Sequence, residues 1–160
     1  MKPFPEFLKE QAAKDPEHES NRTKREWISS VERLIAQAQE WLEHSDRHTK
    51  VLRLVVDNDH SIDEEGLGKY KAPCLQIWLG EKVVEMCAVA RNVGGVLDEG
   101  GFHLQVQGRV DISNGARKMI AYRIKTEHIQ DRWTILDPDQ NTVSELDRST
   151  FEAAVQSLLE

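Results

Sequence analysis

The two cysteines of the chain, Cys74 and Cys87, have a spacing that would allow redox chemistry. They flank Gly80-Glu81, and a glycine at the first central position is what a two-residue type II′ turn requires. In such a hairpin the cysteines face each other at a non-hydrogen-bonded pair, where Cα atoms approach to about 4.5 Å, the short end of what a disulfide spans. In a reducing compartment we expect two adjacent free thiols, which form a strained bridge under oxidant and could act as a redox switch.

A second set of candidates follows from the hairpin on either side of a loop at residues 113–115. A three-residue loop there pairs Val106 with Tyr122 and Asp111 with Arg117, which keeps apolar side chains together. Side chains alternate across a strand, so this register places the polar and basic residues of both strands on one face. The resulting row consists of His103, Gln105, Gln107, Arg109, Arg117, Arg123 and Lys125.

This row has two interpretations. Antiparallel sheets often have one solvated face, so the simpler interpretation is ordinary wet surface. The functional interpretation is a site for an anion, an acidic protein segment or single-stranded nucleic acid, because five basic residues stand against one acid between residues 102 and 125. Nucleic acid is disfavoured, since Phe102 and Tyr122 point to the opposite face and leave no aromatic platform for bases.

Metal and catalytic motifs are absent from the sequence. Alternate positions are occupied as in a calcium loop by Asp57, Asp59, Ser61 and Asp63. However, Ile62 stands where an EF-hand needs Gly, and Gly68 where it needs Glu. We therefore predict a solvated acidic loop and no metal site. The chain also lacks HExxH, CxxC and GxSxG, so we predict no cofactor and favour a protein that is not an enzyme.

Two amphipathic helices are predicted to support the strands. Thr23 and Glu26 have the capping-box spacing, which predicts a helix from residue 23 to about residue 45. Its apolar stripe comprises Trp27, Val31, Leu34, Ile35, Ala38, Trp41 and Leu42. Ser149 and Glu152 repeat that spacing and predict a C-terminal helix. Its apolar residues are Phe151, Ala154, Val155, Leu158 and Leu159.

The predicted strands are segments in which apolar and polar residues alternate, or which are continuously apolar, and residues typical of turns separate them. The Cys74 to Ala90 hairpin is predicted to turn one apolar face to the core, comprising Leu75, Ile77, Leu79, Val84, Met86 and Ala88. Further strands are predicted at residues 51–56, 102–112, 116–125, 132–137 and 142–146. The predicted fold class is α+β: an antiparallel sheet of about six to seven strands, mostly a hairpin meander, with both helices packed on one face.

Domain organisation follows from composition. Phe4, Phe7 and Leu8 could share one face of a short helix that Asp15-Pro16 ends, so residues 1–21 are predicted to be an N-terminal arm and residues 22–160 a single domain. A mobile or loosely docked arm is favoured over a partner-binding helix. The chain of 160 residues has a formal charge of −7 and no apolar segment near the ~20 residues of a membrane helix. We expect a cytoplasmic protein that does not bind nucleic acid broadly.

These observations favour a non-catalytic protein that binds another macromolecule, as an adaptor or chaperone-like domain, through a protein partner or by self-association as a homodimer. An anionic ligand is compatible with the basic row. The alternative is a small-molecule-binding or hydrolytic protein, with a pocket between the sheet and the Gly-rich loop at residues 91–101, which is predicted to be a flexible connection.

Overall fold

The computed structural model describes residues 2–99, 102–126 and 131–160. Its helices are α1 (Phe4–Ala13), α2 (Pro16–Ser45) and α3 (Arg148–Leu159). Its strands are β1 (Leu52–Glu64), β2 (Gly68–Leu79), β3 (Lys82–Ala90), β4 (Val96–Glu99), β5 (Phe102–Ser113), β6 (Lys118–Ile124), β7 (Arg132–Asp137) and β8 (Thr142–Glu145). Within the described ranges, no helix is long and apolar enough to span a membrane.

The sheet is an open antiparallel meander in the order β1-β2-β3-β5-β6-β7-β8, which confirms the predicted α+β class. The additional strand β4 pairs with the first half of β5, while β3 pairs with its second half. Thus residues 96–99 of the predicted flexible connection are paired in the sheet. Helix α2 packs mainly on β2, and α3 packs on β3 and α2.

The β2–β3 hairpin has the predicted register. Gly80 has φ +61°, as the turn requires, and Cys74 lies opposite Cys87 with a Cα–Cα distance of 4.5 Å. The predicted core face is buried beneath the helices at Leu75, Ile77, Val84, Met86 and Ala88, whereas Leu79, at the end of the strand, is 36% exposed. The alternation of apolar residues along both strands therefore predicted this register correctly.

Helix α2 begins earlier than predicted, at Pro16 instead of Thr23. The Asp15 carboxylate accepts a hydrogen bond from the Glu17 N–H at 3.1 Å, and proline suits the first helical position because its missing N–H would be unpaired there. The Asp-Pro pair that we interpreted as a stop is therefore a start signal. The proposed boundary between residues 21 and 22 falls inside this helix, and the division into arm and domain stays a prediction.

Helix α1 buries none of its residues. Its apolar side chains Phe4, Phe7 and Leu8 are 68%, 46% and 48% exposed. They lie three and four residues apart, on one face of the helix, as the sequence predicted. The polar residues from Pro16 to Thr23 form the first turns of α2.

The acidic segment after residue 56 is not the predicted solvated loop. Strand β1 continues through a β-bulge between Asp57 and His60 and pairs with β2 up to Glu64. Ile62 and Glu64 are both buried there. Glu64 accepts hydrogen bonds from the Tyr70 hydroxyl at 2.5 Å and from the backbone N–H of Asn92 at 2.6 Å. Burial, and then the bond to this carboxylate, raise the pKa of Tyr70.

The β5–β6 register differs from the predicted one. Ser113 pairs with Lys118 and Asp111 with Ile120, so the loop has four residues, 114–117. The Asn114 side chain explains the extra residue, because its Oδ1 accepts from the N–H groups of Ala116 and Arg117 at 2.9 and 2.7 Å. The predicted three-residue loop was based only on which side chains would face each other across the two strands, so it did not include this stabilisation of the loop by Asn114.

A β-bulge between Val106 and Arg109 shifts the same register again, so that Val106 lies opposite Ile124 and Arg109 opposite Tyr122. The predicted strand alternation through residues 102–112 included no bulge, so it is wrong at this point. Gly108 has φ +152° and lies against the indole ring of the fully buried Trp27. A residue with a side chain would meet that ring, so the bulge and the glycine both serve the close approach of α2 to the sheet.

Helix α3 begins at Arg148 and uses a different cap from the predicted Ser149–Glu152 pair. The Asp147 carboxylate accepts from the Thr150 N–H, and the Thr150 hydroxyl accepts from the Asp147 N–H, each at 2.9 Å. The predicted apolar stripe is nevertheless buried at Phe151, Ala154, Val155 and Leu158, while Leu159 is partly buried.

Candidate functional site

The predicted basic row is not one row in the structure. Arg109 lies on the sheet face away from the helices, where its Nε donates to Asp111 at 2.7 Å. Arg117 lies in the β5–β6 loop and pairs with Asp139 at 3.3 Å. Arg123 lies on the opposite face from Arg109, beside α2. The bulge in β5 and the longer loop change the alternation on which the row depended.

The other members of that set are dispersed as well. Gln105 and Lys125 are exposed, and Gln107 lies half-buried at the bulge. The backbone of His103 belongs to β5, but its side chain is outside the described part of the structure.

Arg123 contributes instead to a cleft of about 520 Å³ between the first half of α2 and strand β6. We call it the arginine cleft; it is lined by Arg22, Arg25, Glu26, Ser29, Arg33, Arg123 and Asp131. Four arginines and two carboxylates give its lining a net positive charge, although the whole chain carries −7. The lining of the cleft is therefore positively charged on a protein that is negatively charged overall.

Asp131 organises the arginine cleft. Its Oδ2 accepts from Nη2 of Arg33 at 2.7 Å, and its Oδ1 accepts from Nε of Arg123 at 3.2 Å and from the Ser30 hydroxyl at 3.0 Å. Burial alone would raise the pKa of Asp131, but the hydrogen bond from Arg33 and the charge of Arg123 outweigh it and hold that pKa below its usual value. Asp131 is therefore an ionised anchor that orients two guanidinium groups.

Arg123 keeps donor capacity toward the cleft. Its side chain is only 16% exposed, and its Nη1 and Nη2 groups make no hydrogen bond to another described residue. Arg91 lies close enough that burial first, and then the charge of Arg123, lower the pKa of the Arg91 guanidinium. The nearby carboxylates of Glu64 and Glu26 act on the pKa of Arg91 in the opposite direction and offset part of this effect.

A second cleft, of about 750 Å³, continues from the first and shares Arg33 and Asp131 with it. We call it the tryptophan cleft; its other lining residues are Leu34, Gln37, Trp41, Arg132, Trp133, Glu145 and Leu146. The Trp133 ring packs 5.9 Å from Trp27, and the Trp41 ring 5.5 Å from Phe151, between centroids. The rings of Trp41 and Trp133, which line the cleft, are thus held in place by aromatic residues of the core.

The sequence contained one signal for the arginine cleft that we did not use. Arg22, Glu26, Ser29 and Arg33 recur at three- and four-residue steps, which places them on one face of α2. Asp131 could not be found in this way, because it is about a hundred residues away in sequence and only the sheet brings it to the helix.

The cysteines are bonded to each other in the structure, so the prediction of two free thiols differs from it, while their pairing is confirmed. Asp57, Asp59 and Asp63 do not form a metal-ligating group among the described residues. Asp57 accepts from the Asp59 N–H at 2.8 Å, and Asp59 pairs with Lys71 at 3.4 Å. Asp63 is exposed.

Comparison of the chain with known proteins finds no family model that matches the sequence, no matching curated protein and no matching solved structure.

Proposed function

We propose that this is a non-catalytic binding protein that takes up an acidic segment of a partner protein along the arginine cleft and the tryptophan cleft. The observation that carries the proposal is the arrangement of Arg33 and Arg123 around Asp131, at the junction of the two clefts. The guanidinium groups are oriented before a ligand arrives, so binding loses less side-chain entropy than it would with free arginines.

The chemistry of the clefts favours an acidic peptide. Planar guanidinium groups match carboxylates in a two-pronged geometry. In the arginine cleft, the guanidinium of Arg25 and the Nη1 and Nη2 groups of Arg123 make no hydrogen bond to another described residue. The adjoining cleft offers the partly exposed ring of Trp41 to a neighbouring aliphatic or aromatic side chain. A segment in which carboxylates alternate with apolar residues fills both clefts at once.

A nucleic acid fits these surfaces less well. Trp133 is only 8% exposed, so its ring offers little surface on which a base could stack. The net charge of −7 also repels a long polyanion, while a short acidic segment can reach the local positive field. Self-association, the other kind of partner that we predicted, is not required by this proposal.

The proposal is tested by selecting displayed random peptides on the immobilised protein. We expect enrichment of Asp and Glu next to apolar residues, and affinities for the selected peptides that fall as salt is raised. Arg25→Glu should weaken binding about tenfold or more, because a charge-assisted contact of about 1.5–3 kcal/mol is lost and a repulsion is added. Arg25 is exposed and makes no hydrogen bond or ion pair with the described residues, so its reversal should leave the fold intact.

Arg47→Glu is the matched control, since Arg47 is also exposed but lies beyond the opposite end of α2. It changes the net charge by the same amount and should leave peptide affinity within about twofold. Selected peptides without acidic enrichment, or equal losses in Arg25→Glu and Arg47→Glu, would contradict the proposal.

A small-molecule ligand is the second candidate, because the tryptophan cleft of about 750 Å³ is within the size range of small-molecule sites, roughly 300–1,000 Å³. This cleft lies beside α2, whereas we predicted the pocket at the Gly-rich loop, where residues 100 and 101 are outside the described ranges. Thermal stabilisation by small dicarboxylates or phosphate esters, combined with a selection that enriches no peptide, would favour this candidate.

A further inference from the structure

The sheet face away from the helices carries a compact group of metal-ligating side chains. A ring nitrogen of His60 and the Sγ atoms of Cys74 and Cys87 all lie within 4.8 Å of one another. Cys74 is 5% exposed, and the other two residues are partly buried. In the described ranges these are the side chains that could share a metal ion as a group of three. They lie on the opposite side of the sheet from the arginine cleft.

Two features of the chain bring His60 to this place. The β-bulge between Asp57 and His60 shifts the pairing of β1, and Pro73 interrupts the ladder beyond the Cys74–Cys87 pair. In an antiparallel ladder the next position is a hydrogen-bonded pair, so residue 73 should donate to the carbonyl of Ala88. Proline has no N–H to give. The His60 Nε2 lies 3.0 Å from that carbonyl oxygen and replaces the missing donor.

This hydrogen bond assigns the tautomer of His60. A carbonyl oxygen can only accept, so Nε2 carries the proton and Nδ1 of the neutral ring keeps its lone pair. Metal-binding histidines usually donate their second ring N–H to a carbonyl or carboxylate, which fixes the ring and raises its basicity. His60 has this supporting arrangement.

We propose that the reduced protein binds one Zn²⁺ through Sγ of Cys74, Sγ of Cys87 and Nδ1 of His60, with the fourth position open to solvent. Two thiolates and an imidazole suit zinc, and three protein ligands leave one tetrahedral position free. Bonds from zinc of about 2.3 Å place two sulfurs roughly 3.7 Å apart. The facing strands, with Cα atoms 4.5 Å apart, can supply that separation by side-chain rotation. Calcium and magnesium, which prefer oxygen ligands, do not fit.

The disulfide and the zinc site exclude each other, because the sulfur–sulfur bond of the structure uses both thiolates. Conversion needs an external dithiol. One of its thiolates attacks Cys74 or Cys87 and forms a mixed disulfide, and its second thiolate then releases the protein sulfur. The protein gains two electrons and two protons, while the dithiol becomes a disulfide. Zn²⁺ then displaces the two thiol protons to solvent.

The test uses Co²⁺ as a spectroscopic probe on the full chain, reduced with dithiothreitol that is then removed without air. We expect a sulfur-to-cobalt absorption band that saturates at one equivalent, disappears on adding Zn²⁺ and accompanies release of about two protons per metal. The oxidised protein should show no such band. A reduced wild type without the band, or an oxidised protein with the same band, would overturn the proposal without any variant.

Variants then assign the ligands. His60→Gln keeps a side-chain N–H for the Ala88 carbonyl but has no equivalent of Nδ1, so it separates metal binding from the structural hydrogen bond. We expect Zn²⁺ affinity to fall more than about 100-fold, beyond the effect of losing an outer contact, and to fall likewise in Cys74→Ser. His48→Gln, at an exposed histidine beyond α2, is the control. Unchanged affinity in His60→Gln would overturn the three-ligand site.

Discussion

The structure predicts a large loss of stability for Gly108→Ala. A Cβ at this position would overlap Cζ3 of Trp27 and lie 2.5 Å from Cη2, and the Trp27 ring is fully buried. The ring cannot turn away because it also packs on Trp133. Overpacking of this kind costs about 1–3 kcal/mol, and a side chain at φ +152° adds about 1–3 kcal/mol. We expect a total loss of about 2–6 kcal/mol.

Urea unfolding followed by tryptophan fluorescence measures this loss. With a slope of about 2 kcal/mol/M, the midpoint should fall by about 1–3 M. Gly115→Ala is the matched control, since Gly115 has φ +92° but has no atom within 4 Å of the added Cβ. It should lose only the backbone part, about 1–2 kcal/mol.

A double-mutant cycle tests the physical reason. Trp27→Leu removes the ring that the new Cβ would meet, so Gly108→Ala in that background should cost no more than Gly115→Ala in the wild type. A Gly108→Ala variant within about 0.5 kcal/mol of wild type would refute the reasoning. So would a cost that persists unchanged when the ring is absent.

Three further perturbations have expected outcomes. Asp131→Asn should destabilise by about 1.5–3 kcal/mol at neutral pH. Because the folded pKa of Asp131 is lowered from 3.8, its contribution is complete above that value and is lost as the pH falls through the folded pKa. Wild-type and variant stabilities should therefore converge once the pH is below the folded pKa. Asp15→Ala should lower the free energy of opening of the first turn of α2, measured by amide exchange, by about 1 kcal/mol. Thr23→Ala, inside the helix, should not lower it. Glu64→Gln should lose about 1–3 kcal/mol in urea unfolding, and Glu65→Gln, at an exposed carboxylate, within 0.5 kcal/mol.

The β2–β3 hairpin could be predicted because two independent signals agree there. The alternation of Leu75 to Met86 and the glycine turn at Gly80 each imply the same register, and that register is the observed one. The buried stripes of α2 and α3 were predictable for the same reason, since an apolar period persists over several turns.

The incorrect predictions share a physical cause. Asp15-Pro16 can end one helix or start the next, and only the structure shows the Asp15 carboxylate on the Glu17 N–H. The bulge at Gly108 depends on the Trp27 ring, which is distant in sequence, and the four-residue loop depends on Asn114 bonding its own neighbours. In each case the local structure is determined by contacts that neither the apolar periodicity nor the pairing of strand residues reveals.

The candidate site was the least predictable part for a related reason. Arg123 could be singled out by composition, but its side of the sheet depends on a register that two small irregularities alter. Its partners are Arg33, from helix α2, and Asp131, which immediately precedes strand β7. A site assembled from three distant segments leaves only a partial signal in each of them.

The proposed function requires that Arg33 and Arg123, held by Asp131, receive the carboxylates of a partner segment. The most direct measurement is the arginine Nε–Hε region of ¹H–¹⁵N spectra, recorded while an acidic peptide from the selection is titrated into the protein. We predict saturable shifts of the Arg33 and Arg123 signals, with backbone shifts near Asp131 and Trp133 at the junction of the clefts. Unmoved Arg33 and Arg123 signals, with the shifts confined to α1 or to the sheet face that carries Cys74, would contradict it.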